Sequence, residues 1–256
     1  MQLCPLVLAV GLTTAGISPS VSAIEGQLHI RIEGQAKAAG LYATAPGTRL
    51  SEVMMAAQPS PRAYLLGTAL LRQRARLEQA RSRAGLKHDL RLLHETLDPE
   101  LKRTTVALLE WLDSHEPNGR VTLGVSNMYL MQARRMEDPT VEGGDILILP
   151  GRPETIKVMG AVVAECELPH RPARDALDYL RDCPIAPLAD RNDLYVIQPN
   201  AHVQRLGIAM WNRADPQPVA PGGVIYVPLR ETYLQTIDPN FNAEFAAFIA
   251  TQALNP

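Results

Sequence analysis

Aromatic residues are scarce in this chain. They make up 5% of its 256 residues, with three phenylalanines and two tryptophans. An aromatic core throughout is excluded, so the places where the rings cluster are informative. Charge of one sign is missing as well. Lys and Arg number 25 against 27 acids, a formal net charge of −2, which argues against a general nucleic-acid binder. No Gly-x-Ser-x-Gly, His-Glu-x-x-His or Gly-x-x-x-x-Gly-Lys occurs. Hydrolase elbows, zinc-protease helices and phosphate loops therefore have no support. His88 and His94 are six apart, off the spacing that shares a helical face, and read as surface or packing residues. No catalytic residue, cofactor or metal site emerges, and the chain reads as a non-enzyme.

Long apolar runs are also absent. Leu3–Leu12 is interrupted by Pro5 and falls short of the roughly 20 residues of a membrane helix. Val21-Ser22-Ala23 suits signal peptidase, so residues 1–23 read as a signal peptide and the mature chain starts near Ile24. The competing reading is a short buried segment, since no Lys or Arg follows Met1. Cys4 lies too close to the start to be a lipoprotein cysteine. Cleavage leaves Cys166 and Cys183. They form either a disulfide closing a 17-residue loop, worth about 3 kcal/mol, or two free buried thiols. No paired His or Cys-x-x-Cys makes them metal ligands.

What the chain does contain is a sparse internal repeat. Leu28–Gly34 resembles Ile156–Gly160, and Gly143–Pro150 resembles Gly222–Pro228. The opening glycines, 34 and 160, are 126 residues apart, and the closing Gly-Gly pairs only 79. The first copy is thus 47 residues longer. In the second copy, Thr155–Val163, Leu194–Gln198, His202–Ile208 and Val224–Val227 read as strands and Ala173–Arg181 as a helix opened by Pro172. A small sheet around one helix is a β-grasp arrangement, so the fold class is α+β. In the first copy, Leu28–Ile32, Leu41–Ala43, Val121–Val125, Tyr129–Gln132 and Ile146–Leu149 read as strands, and Thr48 is placed to cap a helix over 50–57.

The extra residues fall at about 60–117. Leu65, Leu66, Ala69, Leu70, Leu77 and Ala80 form one helical stripe, with Arg72, Arg74, Arg76, Arg81 and Arg83 on the other face and Gly85 as a stop. Leu86–Leu97 reads as a second helix. A third starts at Asp98-Pro99 with Val106, Leu109 and Leu112 inward. This helical lobe is expected to fold against the first sheet. The domains are then 24–150 with its insertion, 151–230, and an amphipathic helix in 231–256. There Phe241, Phe245, Phe248 and Ile249 share one face. That stripe is expected to pack on the second sheet, with peripheral membrane or partner contact as the alternative.

Several segments carry a family resemblance: Val158–Val162, Ala176–Leu180, Asp190–Pro199, Pro221–Pro228, Tyr64–Arg72 and the Gly119-Arg120-Val121 step. Their order and spacing resemble the capsule biosynthesis GfcC-like family and the soluble-ligand-binding β-grasp (SLBB) repeats of polysaccharide export proteins. The resemblance implies two SLBB-like β-grasp domains, a periplasmic location, and a role in assembly or export of capsule or exopolysaccharide. The implied partners are polysaccharide or the outer-membrane export machinery, with no nucleic acid; the alternatives are a carbohydrate-active enzyme with an unrecognised site and a purely protein-binding adaptor. Where these repeats read Pro-Gly-x-Tyr, this chain has Cys166-Glu167-Leu168-Pro169, which leaves the first hairpin of the second copy uncertain. Arg120, Arg72 and Trp211 are the candidate ligand residues. A guanidinium fork suits the carboxylates of acidic sugars, and an indole suits a sugar ring. The plainer readings are intramolecular salt bridges for the arginines and a structural tryptophan in the sheet. Glu165 and Glu167 resemble a glycosidase pair only superficially, since adjacent acids on one strand face are common.

Overall fold

The computed structural model describes residues 26–95, 98–124 and 127–256. The signal-peptide reading of 1–23 and Cys4 lies outside them. The architecture is α+β, with two five-stranded mixed sheets. The first holds β1 (Leu28–Gly34), β2 (Gly40–Thr44), β3 (Ala69–Leu71), β4 (Arg120–Val121) and β5 (Ile146–Leu149), in the order β2-β1-β5-β3-β4. The second holds β6 (Thr155–Gly160), β7 (Cys166–Pro169), β8 (Asp193–Ile197), β9 (Val203–Gly207) and β10 (Val224–Val227), in the order β7-β6-β10-β8-β9. Strand for strand this is one order written twice, the parallel pair at the centre included.

The register refines the repeat. Arg31 pairs with Ile146, and Lys157 with Val224. The offset is therefore 126 on one strand and 78 on the other, one less than the Gly-Gly pairs suggest. The 126 offset persists from β1 through β3, because Ala69 opposes Ile148 as Tyr195 opposes Tyr226. Across the next hairpin it falls to 83, since Leu71 pairs with Arg120 and Ile197 with Val203. The insertion therefore begins at residue 72, not near 60, and replaces the short turn between β8 and β9. Leu65–Leu71, expected to open a helix, is a 3-10 turn followed by β3. A short apolar run buried on both faces carries no period that separates strand from helix.

Gly34 and Gly160 anchor the repeat for a steric reason. Both have positive φ, at +92° and +103°. An added Cβ would sit 2.2 Å from the Leu149 carbonyl oxygen in one sheet and 2.3 Å from that of Val227 in the other. Only glycine lets the strand end close against its parallel neighbour.

The insertion differs from expectation too. One helix, α2 (Gln73–His94), runs through Gly85 without a stop, and α3 (Pro99–Ser114) follows. Gly85 has open space around it, so its cost is only that of a weak helix former. Asp98 caps α3 by accepting from the Glu100 and Leu101 amides. The inward stripe of α3 is Leu101, Thr105, Leu108 and Leu112, while Val106 is exposed. Tyr129–Gln132, expected as a strand, lies in a helix, α4 (Met128–Ala133), because Asn127 caps it through the Tyr129 and Leu130 amides. Of the expected Val121–Val125 strand only Val121 pairs, within β4, and Val125 lies outside the described residues. The other short helices are α1 (Leu50–Ala57), α5 (Ala176–Tyr179) and α6 (Glu231–Leu234). The helix expected over 173–181 shrinks to α5 because Ala173 has φ +57°, outside the right-handed well. The hairpin in doubt exists, with β7 pairing antiparallel to β6.

Two cores result. The first joins Ile30, Ile32, Leu50, Met54, Leu70 and Leu147 beneath the first sheet. The second joins Ile156, Val196, Ile225 and Tyr226 of the second sheet to α7 (Phe241–Ala250) and to Leu86, Leu90, Leu108 and Leu112 of the insertion. The helical lobe thus packs with the second sheet and the tail, contrary to the expectation that it folds on the first. All three phenylalanines are fully buried. Phe245 lies 5.2 Å from the Tyr226 ring and 5.6 Å from Trp111 of α3. The stripe is therefore unavailable for membrane contact, while Ala243, Glu244 and Ala247 face outward.

Phe245→Ala should cost about 3–5 kcal/mol, the range for emptying a buried phenylalanine site. Urea denaturation of the two proteins measures it. A loss below about 1 kcal/mol would mean that the aromatic contact does not hold the lobe.

Candidate functional site

Arg72 and Arg120 stand at the two sides of the insertion's neck. The Arg72 amide donates to the Gly119 carbonyl, 2.8 Å away, and Gln79 of α2 locks the exit. Its Oε1 accepts from the Gly119 amide at 2.7 Å, and its Nε2 donates to the Arg120 carbonyl at 2.9 Å. Gly119 has φ +84°, and a Cβ there would meet the Arg72 carbonyl oxygen at 2.4 Å. Leu71 pairs directly with Arg120, so Arg72 and Arg120 occupy alternate positions and their side chains leave opposite faces.

Arg72, 5% exposed, turns into the first sheet. Its Nε donates to Asp145 Oδ1 at 3.1 Å and its Nη2 to Oδ2 at 2.8 Å, a two-pronged pair with a carboxylate that is itself 2% exposed. Nη2 also donates to the Thr140 carbonyl, and Nη1 lies 3.0 Å from Glu142. The Asp145 hydrogen bond raises its pKa above the ordinary arginine value. Every prong is engaged, so Arg72 is an internal strut rather than a ligand hand.

Arg120, 7% exposed, turns the other way. Nη1 donates to the Gln252 carbonyl at 3.0 Å and to that of Ala250 at 3.3 Å, and Nη2 donates to the Pro199 carbonyl. It ties the first sheet to the β8–β9 turn of the second and to the chain after α7. Burial pushes the guanidinium down to about 10, so it stays charged at neutral pH. Among the described residues no carboxylate pairs with it. The salt bridge expected for it is thus replaced by carbonyls, which orient the charge without cancelling it.

This charge lines a cleft of about 840 Å³ between the two sheets. Arg152 and Lys157 lie along the same cleft, as do Trp111, His115 and Glu167. Trp111 and His115 stack at 4.1 Å between centroids. Glu165 sits in the adjoining groove, its pKa raised by burial and drawn down in part by Lys157 and His115. Glu167 accepts from Thr155 Oγ1 at 2.6 Å. Sequence reasoning missed Trp111, Lys157 and Arg152. Nothing in their local pattern marks them, because they meet only when the insertion crosses to the second sheet.

Trp211 lies elsewhere and is 78% exposed, beside Met210 at 95%. Asn212 builds this tip, accepting from the Ala209 amide and donating to the Asn192 carbonyl. The structural tryptophan in the sheet is therefore corrected to an outward-facing ring. Cys166 and Cys183 are joined, with Cα atoms 6.0 Å apart. The bridge ties β7 to the segment after α5, where the first copy has Gly40 and Ala57. Among the described residues no cluster of three His, Cys, Asp or Glu could hold a metal ion. No helix among them is long and apolar enough to cross a membrane.

The stretch from β7 through α7 carries a likeness to a known family. Residues 164–253 match the family described as capsule biosynthesis GfcC C-terminal. Over that stretch the chain is similar to the GfcC family. The "Uncharacterized protein YjbG" of Escherichia coli (strain K12) is 27% identical over 138 residues, covering 54% of this chain and 56% of that protein. The chain thus aligns with about half the length of that curated relative. The GfcC-like stretch contains the disulfide, the Pro199 carbonyl that receives Arg120, and the phenylalanine stripe, whereas Arg72 and Arg120 lie upstream of it.

Truncating one partner of the Arg72–Asp145 pair should be severe. Asp145→Leu leaves a buried guanidinium short of its main partner and should cost about 3–5 kcal/mol, whereas Arg72→Met with Asp145→Leu should recover much of that loss. Equilibrium unfolding of the two singles and the double checks this. Additive losses would sink the account of Arg72 as a paired strut.

Proposed function

We propose that this chain is a non-enzymatic periplasmic accessory protein of capsule or exopolysaccharide assembly and export, and that it binds acidic polysaccharide in the cleft between its sheets. The GfcC family description supports a role in capsule biosynthesis. The observation that carries the ligand reading is Arg120, a buried guanidinium on the cleft oriented by carbonyls and lacking a carboxylate. A charge held in low dielectric acts strongly on an incoming anion. Arg152 and Lys157, both exposed, add positive charge along the same wall. Trp111 and His115 supply flat apolar surface of the kind that packs on a sugar ring. The reading takes 24–150 and 151–230 as two β-grasp domains, the first interrupted by the insertion, with 231–256 closing the second core.

A second partner, the outer-membrane export machinery, is favoured by one separate feature. Met210 and Trp211 form an exposed apolar tip, and exposed aromatic anchors commonly mark protein contacts. Trp211→Ala should then weaken copurification with exporter components while leaving glycan binding intact.

The cleft is tested by titrating acidic and neutral oligosaccharides calorimetrically into the wild type and into the double variant Arg152→Gln with Lys157→Gln. Both changes are at exposed positions, so folding should be unaffected. Affinity for the acidic sugar should fall by about tenfold or more, as for losing two charge-assisted contacts of about 1 kcal/mol each, with no change for the neutral one. Equal binding of both sugars by both proteins would sink the reading. Cells lacking the chain should display less surface polysaccharide.

A further inference from the structure

Helix α2 turns a row of cations outward. Arg76, Arg83, Lys87 and Arg91 line a groove of about 480 Å³ whose far wall carries Glu116 and Pro117. Steps of seven, four and four residues keep the four on one helical face, and at 1.5 Å rise per residue the row is roughly 22 Å long. The cations have unequal duties. Arg83 donates to the Leu112 carbonyl at 2.7 Å and lies 3.6 Å from Glu116, and Lys87 pairs with Asp113. These two hold the loop after α3. Arg76 spends only Nε, on the Asn118 carbonyl at 3.2 Å. Arg91 makes no hydrogen bond or ion pair among the described residues. Four cations face two acids, so the groove keeps surplus positive charge in a chain whose net charge is −2.

We infer that this groove is an extension subsite for an acidic polysaccharide, carrying the polymer beyond the Arg120 cleft. The inference rests on the proposed reading of that cleft. The two depressions share Glu116 and meet at the loop after α3, so one extended chain can follow both. The linear array suits a polyanion better than a small anion, because the cations are strung along the helix and do not converge. A bilayer meets a convex basic face, whereas here two cations reach across a trough to its opposite wall. A nucleic-acid strand would call for aromatic stacking platforms, and none lines the groove.

The test uses the full chain and calorimetric titration with tri-galacturonate and a galacturonate dodecamer, comparing the wild type with Arg76→Gln/Arg91→Gln. Both residues are exposed, and the loop would lose only the Arg76–Asn118 bond, so melting temperature should change little. If the double variant does unfold early, Arg91→Gln alone replaces it. The wild type should bind the dodecamer about tenfold tighter than the trimer, the gain expected when a second weak site is tethered to a first. The variant should bind the trimer as before and lose that gain, and added salt should erase it in the wild type. An undiminished length advantage in the variant would overturn the subsite and leave the cleft reading intact. Failure of the wild type to bind either oligomer overturns both. A loss confined to binding of phosphatidylglycerol vesicles would assign the groove to a membrane surface, against this inference.

Discussion

The packing of Phe245 between Tyr226 and Trp111 is the contact on which the architecture depends. Tyr226 belongs to the central strand of the second sheet, Trp111 to a helix inserted in the first copy, and Phe245 to the tail. One aromatic cluster thus holds the insertion to the second sheet and the tail, more than a hundred residues further along the chain. Tyr226 is wholly buried, so burial drives its pKa well up. Its hydroxyl donates to Asn242 Oδ1 at 3.1 Å, and Asn242 in turn bonds both amide and carbonyl of Leu229. The Tyr226 hydroxyl is thereby satisfied, as a buried hydroxyl requires. In a chain so poor in aromatic residues, all three phenylalanines lie at this joint.

The joint explains why a cleft exists. A lone β-grasp copy would end its β3–β4 hairpin in a short turn, as β8–β9 does. The longer connection costs little closure entropy, which grows only with the logarithm of loop length. What must be covered is the apolar face of α2 and α3, and the second core covers it. Crossing to that core draws Arg120 across as well, toward carbonyls of the second sheet and the tail. The positive charge on the cleft is thus a by-product of how the insertion is anchored.

Much of this was legible in the sequence. The α+β class, the doubled unit, β5 and β10, the Asp98 cap and the inward phenylalanine stripe follow from period, capping and turn residues. What was not legible shares one cause. Leu65–Leu71 fits helical spacing, yet it is pinned by Ile146–Ile148 of β5, a partner that local pattern does not name. Gly85 looks like a stop, but Leu86, Leu90 and Leu93 just beyond it, buried with α3 and α7, outweigh one weak helix former. The insertion was assigned to the sheet nearest in sequence, whereas its leucines belong to the other core. For the site, both arginines could be singled out, but their opposite directions could not. Those depend on alternation across a two-residue strand.

The GfcC-like match spans residues 164–253, and the packing shows what that segment needs from elsewhere in the chain. Its sheet is centred on the parallel pair of β6 and β10, and β6 lies before residue 164. Its phenylalanine stripe is roofed by Trp111 and by the leucines of α2 and α3. Isolated, the segment would lose that roof over phenylalanines that are each worth roughly 1.5–3 kcal/mol when fully buried. The first copy therefore serves as the carrier of the second copy's cover, and the repeat that divides the chain by strand order does not divide it by core.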